Sequence, residues 1–504
     1  MAFLRRLTAG LLALALALLS GCDAVAEPAS GGVSLAPSSE EGGGTAAPET
    51  LSSVRIPYDP EDGLNPYTCQ GLQNYYAAGL LYDTLVALDS VGTPQNRLAQ
   101  EVTFDGNLCI VKLRTDGRFT DGSPVTAQDV AYSALTARET PRFAPGLAGV
   151  LEVSAPDQYT VVFSLLTPDR YFGRSLIFPI VKAETAADPL PVGSGRFALG
   201  EQGDLLVRND RYYEPVQNLR LVRLVDAGPL LSQSQAVLDG EIDLSYTDLR
   251  GAADLSLGLG SRQVVLSNLL YLGVNSQRLG IPAELRVAFS GLIDRDAVIR
   301  RAYRGYAAPA ESPIKQSYSS TVTGEEEPLP ENQEELLASL GFGERDEEGW
   351  RLYRNRRYVL RLLVNSDSYD RLSAAAILRD AFQAAGFQIT LESVPFEEYS
   401  LRIAEGNYDL YLGEVRVPPN LDLLSLIAPS PTLGPGCARD EELLALYYQV
   451  KAGEAELSAL DGALRRTMPV IPLAYRRGIV AFSPDFSANI VATEQDIFYN
   501  IGEW

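Results

Sequence analysis

The sequence predicts an α/β protein of more than one domain, and three observations carry this prediction. Its length of 504 residues is enough for about two to four domains. Apolar residues make up 46% of the chain and charged residues 21%, which is the ordinary balance of a chain that buries large cores. Short β-branched and aromatic runs alternate with stretches of helical periodicity, the pattern typical of α/β layers.

The predicted elements follow this alternation after residue 51. Strands are expected at 54–58, 109–113, 159–165, 264–274, 358–364, 387–394 and 408–412. Helices are expected where apolar residues recur every three or four positions, at 76–88, 285–303, 372–385 and 441–464. The segment 121–124 predicts a turn, and Thr126 with Asp129 predicts the capped start of another helix.

Charge and residue usage exclude several classes of function. The net charge of −23 and the isoelectric point near 4.5 argue against a nucleic-acid partner, which needs a basic face; solubility alone is enough to explain this acidity. The chain has no histidine, which excludes histidine-based triads, general bases and metal ligands. Lysine is scarce and occurs only at Lys112, Lys182, Lys315 and Lys451.

The N-terminus indicates export. Arg5 and Arg6 precede an apolar stretch, 7–19, that is too short to span a bilayer as a mature helix. The stretch ends in Leu-Ser-Gly-Cys (19–22), which resembles a bacterial lipoprotein signal. Residues 1–22 are therefore predicted as a signal peptide ending at a lipid-modified Cys22. The alternative is a plain secretory peptide whose cysteine falls there by chance.

Residues 23–50 are rich in Gly, Ser, Ala and Pro and show no apolar periodicity, so we predict a disordered tether. The exported body after it keeps Cys69, Cys109 and Cys437. An odd number of cysteines in an oxidising compartment leaves at least one unpaired or joined to another chain. None of the three has metal-ligand spacing, so no metal site is expected.

An ordered series of motifs carries a resemblance to a known family. The series is GLNPY (63–67), the segment 80–130, PVGSGRF (191–197), LDGEIDL (238–244), LLYLGVN (269–275), the segment 285–310, AGFQITLESVPFEEY (385–399), YDLYLGE (408–414) and VIPLAY (470–475). In this order it resembles the extracellular solute-binding proteins of peptide-class ABC importers, family 5, which includes dipeptide, oligopeptide and nickel binders. Each motif alone is weak, and the ordered set covers nearly everything after residue 51.

The resemblance implies a two-lobed, periplasmic-binding-protein-like α/β fold (type II, large peptide-binder class with an extra subdomain). The first lobe would comprise 51–270, with the subdomain at 69–189, the second lobe 271–479, and 480–504 would return to the first. A small peptide or similar solute would be trapped as the lobes close, with no cofactor. The protein would be a monomer, lipid-anchored outside the cytoplasm, that serves an ABC permease and its ATPase.

Other functions are compatible with parts of the sequence. Family members can also act as surface receptors for peptide signals, and the sequence does not separate this role from import. Ser312 and Lys315 match the Ser-x-x-Lys string of penicillin-recognising acyl enzymes, but the accompanying Ser-Asp-Asn and Lys-Thr-Gly strings do not occur. The glycine-containing segment 193–198 follows a proline rather than a strand, which favours a turn over a dinucleotide site. We therefore expect a binding protein and not an enzyme.

The candidate ligand site departs from the family pattern. After the strand at 408–412, peptide binders typically carry a tryptophan and then an aspartate that pairs with the peptide's ammonium. This chain has Glu414 and Arg416, and then Asp422. In an extended segment Glu414 and Arg416 point to the same side. Glu414 could take the ammonium, Arg416 could bind a carboxylate or phosphate, or the two could pair with each other; Asp422 could replace the acid if the loop is shifted.

Three further residues lie in motifs that border the expected lobe junction. They are Tyr67, Tyr271 and Asn275. Each is a candidate to line the ligand cleft, and for each the alternative is ordinary packing.

Overall fold

The computed structural model describes residues 52–214, 216–249, 258–319, 332–429 and 439–504. The predicted signal peptide (1–22) with Cys22, the predicted tether (23–50) and Cys437 lie outside these ranges. Within them, no helix combines the length and the apolarity that crossing a membrane requires.

Strands and helices alternate along the described residues, as the periodicities predicted. The strands are β1 (Ser53–Pro57), β2 (Val86–Leu88), β3 (Pro94–Asn96), β4 (Ala99–Asp105), β5 (Leu108–Leu113), β6 (Val150–Asp157), β7 (Thr160–Leu165), β8 (Phe197–Leu199), β9 (Leu205–Arg208), β10 (Leu221–Val225), β11 (Leu244–Thr247), β12 (Gly260–Val274), β13 (Ala307–Pro309), β14 (Leu352–Tyr353), β15 (Arg356–Arg357), β16 (Val359–Asn365), β17 (Gln388–Val394), β18 (Leu410–Arg416) and β19 (Ile471–Phe482). The helices are α1 (Leu72–Leu81), α2 (Ala127–Glu139), α3 (Ala144–Leu147), α4 (Leu230–Leu238), α5 (Ser276–Leu279), α6 (Ala283–Gly291), α7 (Arg295–Arg301), α8 (Gln316–Ser319), α9 (Gln333–Leu337), α10 (Tyr369–Ala384), α11 (Phe396–Ala404), α12 (Leu424–Ile427), α13 (Glu441–Ala452) and α14 (Leu457–Thr467).

Three of the predicted helices end earlier than their apolar periodicity suggests. The one predicted at 76–88 stops at the end of α1, and its last residues form β2. The one predicted at 285–303 is two helices, because the Asp294 carboxylate accepts a hydrogen bond from Ala297 N and starts α7 anew. The one predicted at 441–464 breaks at Gly453, whose φ of 82° lies in the left-handed region that ends helices.

The capped turn at 121–126 is confirmed. Arg118 and Pro124 form an isolated bridge, and the chain then enters α2. The Asp129 carboxylate accepts a hydrogen bond from Thr126 N at 2.9 Å, which completes a capping box. The same carboxylate accepts Ala183 N at 2.9 Å, so this corner also fastens a distant loop.

One hydrophobic core packs around two small sheets. These have the strand orders β1-β10-β9-β8 and β4-β5-β7-β6, and α1 and α2 cover them. Val54, Val111 and Phe163 belong to this first core, and so do Phe498 and Trp504 from the end of the chain. The last residues of the protein therefore pack with the first described ones.

Two further cores lie on opposite faces of a larger sheet. Its strand order is β11-β19-β12-β18-β16-β17, with β13 paired to β19. Alternate residues of one strand point to opposite faces, so Leu270 and Leu272 join the second core while Leu269 and Tyr271 join the third. Helices cover both faces, which explains why the central residues of the parallel strands β16 and β18, 362–364 and 410–412, are buried and apolar.

Strands β12 and β19 connect these cores, and we call them the crossing strands. Near one end, Val480 and Phe482 of β19 pack in the first core. Near the other end, Ile471 and Leu473 pack in the second. Over the same distance β12 pairs with β19 on one side, and from Asn268 to Val274 it also pairs with β18 on the other. Two continuous strands therefore join the two halves of the fold.

A buried ionic contact also joins segments far apart in sequence. Asp169, in the loop after β7, accepts a bond from Lys451 Nζ of α13 at 2.6 Å and one from Asn420 Nδ2 at 2.9 Å. Both ionic side chains are at most one-tenth exposed. Arg170 N also donates to Lys451 O at 2.8 Å. This loop is thereby fastened to the third core's helices.

The two described cysteines are free thiols. Cys69 and Cys109 are both buried and are not joined to each other. Burial raises the pKa of the Cys69 thiol to about 11 and that of Cys109 to about 12. Both are therefore protonated and poorly nucleophilic near neutral pH.

Candidate functional site

Charged side chains converge where the crossing strands pass between the cores. A bulge in β12 shapes this place, because the register with β19 slips between Val265 and Leu269. Bulges re-aim side chains and are frequent beside functional sites. Here the bulged residues include Ser267 and Asn268, and each bonds a glutamate from another part of the chain. The group, called the crossing site below, comprises Ser267, Asn268, Lys315, Arg371, Glu414, Arg416, Arg476 and Glu494.

Glu494 is the buried centre of one half of the crossing site. Its Oε2 accepts a hydrogen bond from Ser267 Oγ at 2.6 Å and faces Lys315 Nζ at 3.1 Å. Its Oε1 lies 3.3 Å from Arg416 Nη2. Burial alone would raise its pKa, but Lys315, Arg416 and the Ser267 bond outweigh burial and lower it to about 2. Glu494 is therefore ionised at all ordinary pH values.

Arg416 presents a partly free guanidinium. Half of its side chain is exposed, whereas only 7% of the Glu494 side chain is. Tyr75 and Tyr76 of α1 and Tyr246 of β11 lie within electrostatic reach of it. Burial raises the pKa of these three phenols, so they stay neutral. Arg416 thus belongs to the larger sheet but faces aromatic rings of the first core.

Glu414 is the centre of the other half. Its Oε1 accepts Asn268 Nδ2 at 3.0 Å and lies 3.4 Å from Arg476 Nη1, and its Oε2 lies 3.4 Å from Arg371 Nη2. Arg476 also donates to Asp248 O at 2.7 Å, at the end of β11. The Glu414 side chain is 9% exposed, so its charge is balanced inside the protein.

Two polar atoms beside Glu414 have no hydrogen-bond partner among the described residues. Arg371 Nε and the Tyr303 hydroxyl are buried, and within the described residues neither finds a hydrogen-bond partner. Both lie near Glu414, since the pKa of Tyr303 is raised first by burial and next by the Glu414 charge. A buried donor without an acceptor is costly, so we expect a water molecule or a ligand group to supply the acceptor for these two donors.

The predicted candidates Glu414 and Arg416 both lie in the crossing site on β18 and do not depend on each other for charge balance. Arg416 pairs with Glu494, and Glu414 pairs with Arg371 and Arg476. Their role towards a ligand stays a prediction.

The other candidates have packing partners elsewhere. The Tyr67 hydroxyl donates to carbonyls of the first core, one of them Ser133 O at 3.3 Å. Tyr271 is fully buried, with its hydroxyl 3.1 Å from that of Tyr411. Asn275 caps α5 and donates to Gly406 O at 2.9 Å. As ligand contacts these three remain predictions without a ligand-facing observation.

Asp422 lies outside the crossing site as well. Its Oδ1 accepts Leu424 N at 3.1 Å and the Tyr447 hydroxyl at 3.2 Å. These bonds start α12 and tie it to α13. Its predicted role as a substitute acid is also untested.

The Ser-x-x-Lys string is built into the core. Ser312 is buried, and its Oγ accepts Ile314 N at 3.2 Å. Lys315 Nζ donates to Glu494 and, at 3.4 Å, to Val265 O. An acyl-enzyme lysine must be free to take a proton from the serine, whereas this one is an ion-pair partner.

A small cavity adjoins the tyrosines that face Arg416. It has a volume of about 60 Å³ and lies against Tyr75 and Tyr76, with Arg97, Arg196 and Asp496 in its wall. This is room for a few water molecules. Asp496 follows Glu494 by two positions, so one short segment of the chain end borders both the cavity and the crossing site.

Comparison with known proteins identifies the family of this chain. A family model described as bacterial extracellular solute-binding proteins, family 5 Middle, matches residues 93–421. The chain belongs to this family, whose members are solute-binding proteins.

The similar proteins and solved structures share low sequence identity with this chain. The probable D,D-dipeptide-binding periplasmic protein DdpA of Escherichia coli is 24% identical over 60% of this chain, and the chain spans 61% of that protein's length. The periplasmic murein peptide-binding protein MppA of Escherichia coli is 23% identical over 93% of this chain and 96% of that protein. A nickel ABC transporter structure from Bacillus halodurans has a TM-score of 0.72 at 18% identity, covering 89% of this chain and 98% of that one. The predicted fold class is confirmed.

Proposed function

We propose that the chain is the solute-capturing component of an ABC importer, which binds a small peptide or a related small solute and delivers it to a permease with its ATPase. Family membership over 93–421 supports capture of a solute. The names of DdpA and MppA support a peptide-type ligand. The observation that carries the proposal is the crossing site, because charged and aromatic groups of separate cores face one another across continuous strands.

The proposed mechanism is closure of two lobes around the ligand. The first lobe would be 51–270 with its subdomain at 69–189 and the return at 480–504, and the second lobe 271–479. Strands β12 and β19 are the elements that would bend, since β19 runs from the first core into the second and β12 pairs with it along that length. Ligand must bind the closed form more tightly than the open form, or binding could not drive closure.

Anchoring is part of the proposal. Cys22 would carry diacylglycerol, residues 23–50 would form the tether, and a monomer would work at the outer face of the cell membrane. Mass spectrometry of the native protein should find lipid on Cys22. A mature chain cut elsewhere and free of lipid would contradict this part alone.

The proposed activity is binding without chemistry. The engagement of Lys315 by Glu494 supports this, because that lysine has no spare capacity as a base. We expect the Ser312→Ala variant to bind ligand as the unaltered protein does. Labelling of Ser312 by a covalent β-lactam probe would contradict it.

Two measurements test the proposed function: identification of the compound bound to the purified protein, and uptake of that compound by cells. Protein purified from its own host and then denatured should release a peptide-type compound at one per chain, chemically unchanged. Deleting the gene should abolish uptake of that compound. Normal uptake together with a lost peptide response would instead support the receptor role.

A further inference from the structure

Both carboxylates of the crossing site are already satisfied by the protein's own donors. Glu494 is held by Ser267, Lys315 and Arg416. Glu414 is held by Asn268, Arg371 and Arg476. A ligand ammonium would have to compete with two cations at either acid, and it would bring a further positive charge beside them.

Other charged groups around Glu414 do not change this balance. Asp370, at the start of α10, has a raised pKa because it is buried, although Arg304 and Arg476 oppose that rise. Asp248 contributes its backbone carbonyl to Arg476. Among the described residues, the acids near the site are therefore matched or outnumbered by arginine and lysine, and none of the residues 417–422 that follow β18 is an exposed acid.

Unused hydrogen-bond donors point to the ligand's chemistry. Arg416 has half of its side chain exposed, with Glu494 as the carboxylate on one side of its fork. Arg371 Nε and the Tyr303 hydroxyl, the latter on a side chain that is 6% exposed, lack acceptors among the described residues. Guanidinium groups match carboxylates in planar, two-bonded geometry. What the site lacks is an acceptor.

We propose that the crossing site binds the anionic, carboxylate-type end of its ligand, that Arg416 is the residue that selects it, and that a free ammonium is not required. This inference rests on the proposed function and specifies its ligand. Glu494 orients Arg416 and neutralises the charge of Lys315. The site therefore presents one oriented positive charge, that of Arg416, rather than several loosely placed ones. Tyr75, Tyr76 and Tyr246 lie within electrostatic reach of Arg416.

Three pools of short peptides test the proposal by calorimetry on the complete exported chain. The pools are free dipeptides and tripeptides, the same peptides N-acetylated, and the same peptides C-terminally amidated. We expect the free and N-acetylated pools to bind within about threefold of each other, and the amidated pool to bind at least about 30-fold more weakly. That ratio corresponds to about 2 kcal/mol, the order of a hydrogen bond to a charged group.

Variants of Arg416 test whether this residue causes the preference for free over amidated peptides. Arg416→Gln should remove the difference between free and amidated pools, and Arg416→Lys should keep part of it. Arg300→Gln is the matched control, because the Arg300 side chain is 66% exposed on α7 and its ion pair is with Asp296 of the same helix. Thermal melting checks that each variant is folded; if Arg416→Gln does not fold, the three pools with unaltered protein still decide.

Each outcome has one meaning. Equal binding of free and amidated peptides, or loss of binding on N-acetylation, overturns this inference and leaves the proposed function standing. An unchanged preference in Arg416→Gln overturns the assignment to Arg416. If none of the three pools binds, the peptide-type ligand of the proposed function is wrong, and so is this inference.

Discussion

Replacing Glu494 by glutamine should destabilise the protein strongly, and the loss should depend on pH. The pKa of this carboxyl is lowered from its ordinary 4.5 to about 2 in the folded chain. Each tenfold change in proton affinity corresponds to about 1.4 kcal/mol, so the ionised form contributes on the order of 3 kcal/mol to folding. Removing one partner of a buried pair costs about 3–5 kcal/mol, which is consistent with this value.

The sign of the pH dependence follows from the lowered pKa. The contribution is fully present above the unfolded pKa near 4.5 and is lost as pH falls through the folded pKa near 2. The gap in unfolding free energy between the unaltered protein and Glu494→Gln should therefore be largest at pH 7 and shrink below about pH 4.5. Urea unfolding at pH 7, 5 and 3 measures this gap.

A matched variant separates burial from charge. Glu398→Gln also removes a glutamate that pairs with an arginine, but the Glu398 side chain is 47% exposed. It should lose at most about 0.5 kcal/mol at every pH. A stabilising role of ionised Glu494 is excluded if Glu494→Gln unfolds at the same urea concentration as the unaltered protein at pH 7, or if its loss of stability does not change with pH.

Three further stability predictions follow from other contacts. Lys451→Ala should cost about 3–5 kcal/mol in urea unfolding, since it leaves Asp169 buried and unpaired; a loss below about 1 kcal/mol would contradict it. Gly413→Ala should cost about 1–3 kcal/mol, because a Cβ there would lie 2.6 Å from the Tyr271 ring; an unchanged melting temperature would show that the ring moves freely. Thr126→Ala should cost about 1 kcal/mol through loss of the α2 capping box, whereas Thr126→Ser should restore most of it.

The α/β class could be predicted because helices and strands leave different local periodicities in the sequence, whereas the two-lobed fold was implied by the family resemblance. The strands at 359–365 and 388–394 and the helix at 369–384 agree with prediction within a few residues. Helix ends were harder to predict. The apolar faces before and after Asp294, and before and after Gly453, continue in phase, so periodicity alone reads each helix pair as one element.

Two of the eight crossing-site residues could be found from the sequence as ligand-site candidates, and the other six could not. Glu414 and Arg416 stood out because they replace a family motif on one strand. Glu494 escaped notice because its partner Ser267 is 227 positions away, and the β12 bulge that brings them together has no periodic signature. One signal was available in the sequence, which is that the chain has only four lysines. Two of them, Lys315 and Lys451, have buried, ion-paired side chains in the structure.

The most direct test of the account is small-angle X-ray scattering of the exported chain with and without saturating free dipeptides and tripeptides. If the crossing strands carry two lobes that close on a ligand, the radius of gyration should fall on binding, and it should not fall with amidated peptides at the same concentration. A radius that stays constant while calorimetry reports saturation would contradict closure around the ligand.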